Sequence, residues 1–215
     1  MTNNTGKYNL VRKDYRAISG WYDSTYDASK EMAPELNDFM SGINGPTQKV
    51  LDAGAGPGKE SSFLSKICDV TAFDISPEMI SIIKQNFPDI KTVLGDINHL
   101  PFDNETFDGI WTCRTIIHIP IEDLGNVFKE FNRVLKEGGY LAIVSINTIE
   151  EQDHMEQFLT EEDSVDPKGQ LIYYRNLYSS NLLIDFLERA NFEKIMNTNR
   201  SDTREPIIYI KAQKK

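Results

Sequence analysis

The chain has 215 residues, 40% of them hydrophobic, which suits a single α/β domain with a sizeable core. A formal net charge of −10 argues against a nucleic-acid phosphate backbone or an anionic membrane surface as partner. No apolar run approaches transmembrane length, and the N-terminal Met1-Thr2-Asn3-Asn4 lacks a signal-peptide pattern. The two cysteines, Cys68 and Cys113, form neither a disulfide framework nor a metal-ligand spacing, so a reduced cytoplasm and no metal are expected.

Residues 1 to 27 are polar, with interspersed aromatics that include Tyr22 and Tyr26. Met32, Leu36, Phe39, Met40 and Ile43 then recur at helical spacing and predict one amphipathic helix over 28–43, ended by Gly42 and Gly45-Pro46. Strands are predicted at 48–53, 69–75, 91–95, 107–113 and 140–146. Helices are predicted between them. One starts near Gly58. Another starts at Ser76-Pro77-Glu78, with Ser as N-cap, Pro at the first helical position and an acid in the first turn. A third, from Glu122, carries Leu124, Val127, Phe128, Phe131, Val134 and Leu135 on one face and is closed by Gly138-Gly139. Residues 147–172 are acidic and break the rhythm, which fits a functional lid or a disordered segment. A last helix over 179–190 and two strands, 192–200 and 206–213, complete the chain. Alternating β and α units imply a parallel sheet with right-handed crossovers.

The first strand runs into Asp52-Ala53-Gly54-Ala55-Gly56-Pro57-Gly58. A strand feeding a glycine-rich turn and then a helix is the nucleotide-binding corner of a doubly wound fold. The spacing here is G-x-G-x-G rather than the G-x-G-x-x-G of a dinucleotide site. Asp52, two residues before the first glycine, would repel a pyrophosphate and suits a ligand with positive charge near the turn. S-adenosylmethionine carries both an ammonium and a sulfonium. Asp74 ends the second strand, where a carboxylate can accept hydrogen bonds from both ribose hydroxyls.

Leu51 to Gly58 resembles the first motif of the class I S-adenosylmethionine-dependent methyltransferases, of the small-molecule type. Further motifs follow in that family's order: Val70 to Ser76, Leu94-Gly95-Asp96-Ile97 with Leu100-Pro101-Phe102, Phe107 to Trp111, and Val134 to Leu141. The resemblance covers roughly residues 20 to 215. It implies a Rossmann-like, seven-stranded, mostly parallel sheet with an antiparallel C-terminal hairpin. It implies one domain overall, with an N-terminal helical cap at 1–45 and a methyltransferase domain at 46–215 that carries a lid-like insert at about 147–178. The cofactor would be S-adenosylmethionine and the product S-adenosylhomocysteine.

The resemblance also implies roles. Asp52 would hold the cationic end of the cofactor; Ala53, Gly54 and Gly56 would bring backbone to its methionine portion, and Gly58 would serve helix–strand packing. Asp74 would bind the ribose. Ile75 and Met79 would pack on the adenine, with Gly95, Asp96 and Ile97 at its edge. Cys113 and Arg114 would place backbone near the methionine ammonium; the Arg114 side chain serves either an acidic substrate or an ordinary ion pair. Tyr22 and Tyr26 either close over the cofactor or pack in the core. His118 is the candidate general base, taking a proton from a hydroxyl or amine nucleophile; the alternative is a structural histidine beside Pro120. Tyr173, Tyr174 and Arg175 would line the acceptor pocket, the arginine gripping a carboxylate or phosphonate; the alternative is strand or helix-lead packing.

The expected reaction is direct displacement of the sulfonium methyl by an oxygen or nitrogen of a small molecule. Three other classes compete, the third a macromolecular methyltransferase, against which the acidity and the lack of an Asn/Asp-Pro-Pro-Tyr motif weigh. A non-catalytic S-adenosylmethionine-binding regulatory protein would share most of these residues. An NAD-dependent oxidoreductase would share Asp74 but not the glycine spacing or Asp52. The acceptor and the oligomeric state are not written in the sequence.

Overall fold

The structure is a computed structural model that describes residues 28–43, 47–147, 155–158, 174–203 and 206–215. The elements in chain order are α1 (Ala28–Glu31), α2 (Ala33–Gly42), β1 (Lys49–Ala53), α3 (Lys59–Leu64), β2 (Asp69–Asp74), α4 (Pro77–Asn86), β3 (Lys91–Leu94) and β4 (Phe107–Cys113). A 3-10 turn (Ile116–His118), α5 (Ile121–Val134), β5 (Leu135–Ile146), β6 (Met155–Phe158), β7 (Tyr174–Leu177), α6 (Ser180–Arg189), β8 (Phe192–Arg200) and β9 (Ile207–Lys214) follow.

Seven strands form one sheet in the order β3-β2-β1-β4-β5-β9-β8. β1 pairs in parallel with both β2 and β4, and β5 in parallel with β4. β9 runs antiparallel between β5 and β8, so the C-terminal hairpin closes one edge as expected. The strand order reverses between β1 and β4. In such a sheet the crevice outside the strand C-termini at the reversal is where ligands bind.

The two faces bury different residues because strand side chains alternate. Leu51 and Ile110 face α5 and α6, meeting Leu124, Phe128, Phe131 and Leu187. Val50 and Trp111 face α2, meeting Leu36 and Phe39, whose ring centroid lies 5.5 Å from that of Trp111. α4 begins as its sequence predicts: Ser76 is the N-cap, its hydroxyl accepts the Met79 N–H at 3.3 Å, and Pro77 opens the helix.

Three expectations change. The predicted helix over 28–43 is two helices, broken at Met32. Pro34 lacks an N–H and its ring disfavours the helical approach from the preceding turn, so it starts α2 instead of continuing α1. The helix before the fifth strand ends at Val134, not at the glycines. Leu135 is already extended and paired with Phe107, and Gly138, at φ 71°, sits in the irregularity where the β4–β5 register shifts. Residues 155–158, within the stretch 147–172 read as irregular, pair antiparallel with residues 174–177 in a separate two-stranded sheet.

Candidate functional site

At the C-terminal ends of β1, β2 and β4 lies a cleft, partly open to solvent. The glycine loop forms its floor. The N–H groups of Gly54 and Ala55 both donate to the Phe73 carbonyl, at 2.8 and 3.0 Å, which pins the loop to β2. Gly54 has φ 81°, and a Cβ there would collide with Thr115. Gly56 has φ 51°, and a Cβ there would enter open space. The first glycine is thus required by the protein's own packing, and the second leaves the main chain bare toward the cleft. Gly58 lies against Ile83 and Phe87 at α4, so its packing is helix to helix rather than helix to strand.

Asp74 is buried at the rim of this floor. Its Oδ2 accepts the Gly56 N–H and its Oδ1 accepts the Ser76 N–H, both at 2.8 Å. Burial pushes its carboxyl up to about 6 against the pull of these donors, so the group is ionised at neutral pH. Asp52, 2% exposed, accepts the Ser61 hydroxyl at 2.5 Å. Burial first, then the neighbouring Glu60 carboxylate, push it up to about 8. Asp96 accepts the backbone N–H and side-chain amide of Asn98 at 2.9 and 3.1 Å, and lines the cleft beside Ile75, Gly95 and Ile97.

The opposite wall follows β4. Cys113, Arg114, Thr115, His118 and Ile119 line it. Arg114 holds a left-handed backbone at φ 54°, and its guanidinium meets Glu31 of α1 at 3.4 Å. The Thr115 hydroxyl lies 3.2 Å from the Ala53 carbonyl and ties this wall to the floor. From outside, Asn176 donates to the carbonyls of Ile117 and Ile119 at 3.3 and 3.2 Å, and the Tyr178 hydroxyl donates to the Ile119 carbonyl at 2.6 Å. Both are buried, so the end of the insert latches the turn that carries His118.

The cleft gathers Asp52, Gly54, Gly56, Asp74, Ile75, Gly95, Asp96, Ile97, Cys113, Arg114 and His118. It does not gather three others. Met79 is on the buried face of α4, and Ala53 lies under the floor with its carbonyl facing Thr112 and Thr115. Arg175 lies outside the lining. Tyr22, Tyr26 and Tyr173 fall outside the described residues, as does the side chain of Tyr174. Glu60 lines the cleft without a sequence marker, since an acid in a helix's first turn is ordinary there. Among the described residues no cluster of three metal-ligating side chains occurs.

Residues 50–139 match the family described as a methyltransferase domain. This stretch carries a methyltransferase domain. It is 31% identical over 131 residues to a demethylmenaquinone methyltransferase of Chlorobaculum tepidum, covering 60% of this chain and 48% of that protein. The matched region therefore spans about half the length of the curated relatives. In fold the domain is similar to a 1,6-didemethyltoxoflavin N1-methyltransferase of Burkholderia thailandensis that holds S-adenosylhomocysteine. That similarity has a TM-score of 0.77 at 16% identity, and covers 100% of this chain and 91% of the other. The [4+2]-cyclase SpnF shares the fold too, with a TM-score of 0.70 at 16% identity over 95% of this chain and 94% of its own.

The cofactor of this family, S-adenosylmethionine, can be tested against the cleft. The bare main chain at Gly56, the paired acceptors of Asp74 and the apolar Ile75 and Ile97 suit a nucleoside. The buried carboxylates suit a cation. The donor set fits.

Proposed function

We propose that this domain transfers a methyl group from S-adenosylmethionine, by direct displacement, to an oxygen or nitrogen of a small molecule. The observation that carries the reading is Asp74. Its two carboxylate oxygens are fixed by backbone donors of the glycine loop and α4, at the rim of a cleft floored by a bare glycine. When bound, the cofactor supplies an already activated methyl group. The protein's own work is then mainly positioning, which can contribute on the order of 7–11 kcal/mol of barrier reduction.

In this reading Asp74 orients the ribose and Asp52 offsets the cationic end. Ile75 and Ile97 flank the adenine, with Asp96 at its edge. His118, buried in the wall after β4, accepts the proton of the nucleophile. The acceptor enters from the side of the insert at about 147–178, with Arg175 and the neighbouring tyrosines near its path. The latch of Asn176 and Tyr178 on the His118 turn supports that side. A small acceptor in the cytoplasm, rather than nucleic acid or membrane, accords with the net charge of −10. No helix among the described residues is long and apolar enough to cross a membrane.

The test is calorimetric titration with S-adenosylmethionine, S-adenosylhomocysteine and NAD in parallel. Saturable one-to-one binding of the first two, and none of NAD, is expected. Binding of NAD alone would overturn the reading of the glycine loop. Since the cyclase SpnF has the same fold, binding does not by itself establish transfer. Incubation with methyl-labelled cofactor and cell extract, followed by mass analysis, is expected to show label in a small molecule.

A further inference from the structure

Residues 95–106 join β3 to β4 and carry Asp96, and α5 grips them from outside the cleft. Asn126, Glu130 and Arg133 stand at i, i+4 and i+7, so they share one face of that helix. The Asn126 amide donates to the Asn98 carbonyl at 2.8 Å. Glu130 accepts the Leu100 N–H at 2.9 Å. Arg133 donates to the carbonyls of Leu100 and Phe102, at 2.9 and 2.7 Å, and its Nε donates to Glu130 at 2.7 Å. Val127 and Phe131 of the same helix are buried in the core, which gives the grip a fixed base.

Inside this grip Asn98 is 7% exposed and lies outside the cleft lining. Its N–H and its side-chain amide both donate to Oδ1 of Asp96, at 2.9 and 3.1 Å. Asp96 itself lines the cleft. Among the described residues no hydrogen bond reaches its Oδ2. Two donors on one oxygen restrain the turning of the carboxylate, and the other oxygen keeps its acceptor sites. An ionised acceptor fixed in this way discriminates between ligands: it pairs with an N–H and opposes a carbonyl.

We propose that Asn98 is a positioning residue that turns Asp96 toward the exocyclic amine of the cofactor's base, and that the grip of α5 holds it there. Selectivity for an aminopurine is then set by side chains that lie outside the cleft lining. The proposal rests on the cofactor reading above, with Asp96 at the adenine edge. Of the two donors on Oδ1, the side-chain amide is the one that only this residue type supplies; any residue but proline would bring the N–H.

The experiment is calorimetric titration with S-adenosylhomocysteine and with S-inosylhomocysteine, in which a carbonyl replaces the exocyclic amine. The readout is the ratio of the two affinities, because a site that is merely loosened weakens both ligands alike. The parent protein is expected to prefer the adenosyl compound at least about tenfold, as one hydrogen bond to a charged acceptor implies. Asn98→Ala, and Asn98→Asp, which keeps the shape but has no amide to donate, are each expected to reduce that preference at least about threefold. Arg133→Met is expected to reduce it at least about twofold. Asp96→Asn is expected to reverse it: the Asn98 donors hold the side-chain carbonyl, which leaves the new amide N–H groups facing the cleft, where they meet the inosyl carbonyl. Thermal unfolding checks that each variant is folded.

Equal affinity of the parent for the two compounds overturns the proposal and leaves the cofactor reading standing. So does a preference that both Asn98 variants keep, even where each ligand binds more weakly. A preference for the adenosyl compound that survives Asp96→Asn overturns it as well, by assigning the amine to another acceptor. An unchanged ratio in Arg133→Met removes the grip of α5 from it. Failure of the parent to bind S-adenosylhomocysteine removes the cofactor reading and this inference together.

Discussion

Asp74 and Asp52 are both buried at the C-terminal ends of neighbouring strands, yet their surroundings prepare them for different work. Asp74 is held by main-chain donors and presents its remaining lone pairs to the cleft. Asp74→Ala should lose two charged hydrogen bonds to a ribose, each worth roughly 1.5–3 kcal/mol. Cofactor affinity should therefore fall at least about a hundredfold. Calorimetry on Asp74→Asn alongside, which keeps one acceptor, should show a smaller loss; full affinity in both variants would refute the ribose role. Asp52 bears on stability. Its folded value of about 8 lies above the usual aspartate value of 3.8, so the folded state keeps a proton that the unfolded chain gives up. That contribution is complete below about 3.8 and is lost as pH rises toward 8. Free Asp52→Asn should therefore melt at least about 2 °C above the parent at pH 8, with a gap that narrows toward pH 5, in paired thermal scans. A gap independent of pH would show that the Asp52 carboxyl is not perturbed. These two acids were legible in the sequence because the glycine spacing marks their neighbourhood. Glu60 was not, since an acid that opens a helix looks the same whether or not it faces a ligand. The resemblance implies that Met79 packs on the adenine, but α4 turns it inward, outside the cleft lining.

Elements were legible where periodicity and punctuation agreed. α5 repeats its apolar residues at helical spacing, and all of Leu124, Val127, Phe128, Phe131 and Val134 are buried. Ser76-Pro77 fixed the start of α4. Legibility failed where a local rule was overruled by a pairing partner. The glycines at 138 and 139 look like a helix stop, but Leu135 has already joined Phe107 in the sheet. The short strand β7 had no visible pattern, because its importance lies in what Asn176 and the following Tyr178 touch. Those contacts predict a measurable role for this element. Asn176→Ala takes the side-chain donor from the Ile117 carbonyl, while Ile119 keeps Tyr178, and the loss should be about 1–3 kcal/mol in chemical denaturation. Tyr178→Phe removes a single hydroxyl and should cost about 1 kcal/mol. Both should alter the imidazole signals of His118 in nitrogen-edited spectra, since the turn that holds the ring is loosened. Unaltered signals beside the expected loss of stability would make the latch purely structural.

At the scale of the molecule, alternation of strand and helix was enough to announce a doubly wound sheet, and the family resemblance supplied the reversed last strand. What no local pattern shows is how α1 and α2 are fastened to the far edge of that sheet. Arg200, at the end of β8, donates to both oxygens of Glu35 at 2.9 Å and to the Glu31 carbonyl at 3.3 Å. Asp38 accepts from Tyr209 and Lys211 of β9, both at 2.7 Å. These partners are about 165 residues apart in sequence, beyond the reach of any periodicity. Glu35 is 3% exposed, so loss of its guanidinium strands a buried charge. A fully buried pair would cost about 3–5 kcal/mol to break. Arg200 is about one-quarter exposed, so solvent screening lowers the expected cost of Arg200→Met to about 2 kcal/mol. Glu35→Gln added to it should restore part of that loss, because the stranded charge is gone. The same clamp holds Glu31 against Arg114 in the cleft wall, so the effect should travel. Hydrogen exchange at the amides of α2 should quicken in Arg200→Met, and cofactor affinity should fall by a few-fold. Faster exchange with unchanged affinity would separate the cap from the site. Unchanged exchange would mean that the apolar face of Leu36, Phe39 and Met40 holds α2 without the clamp.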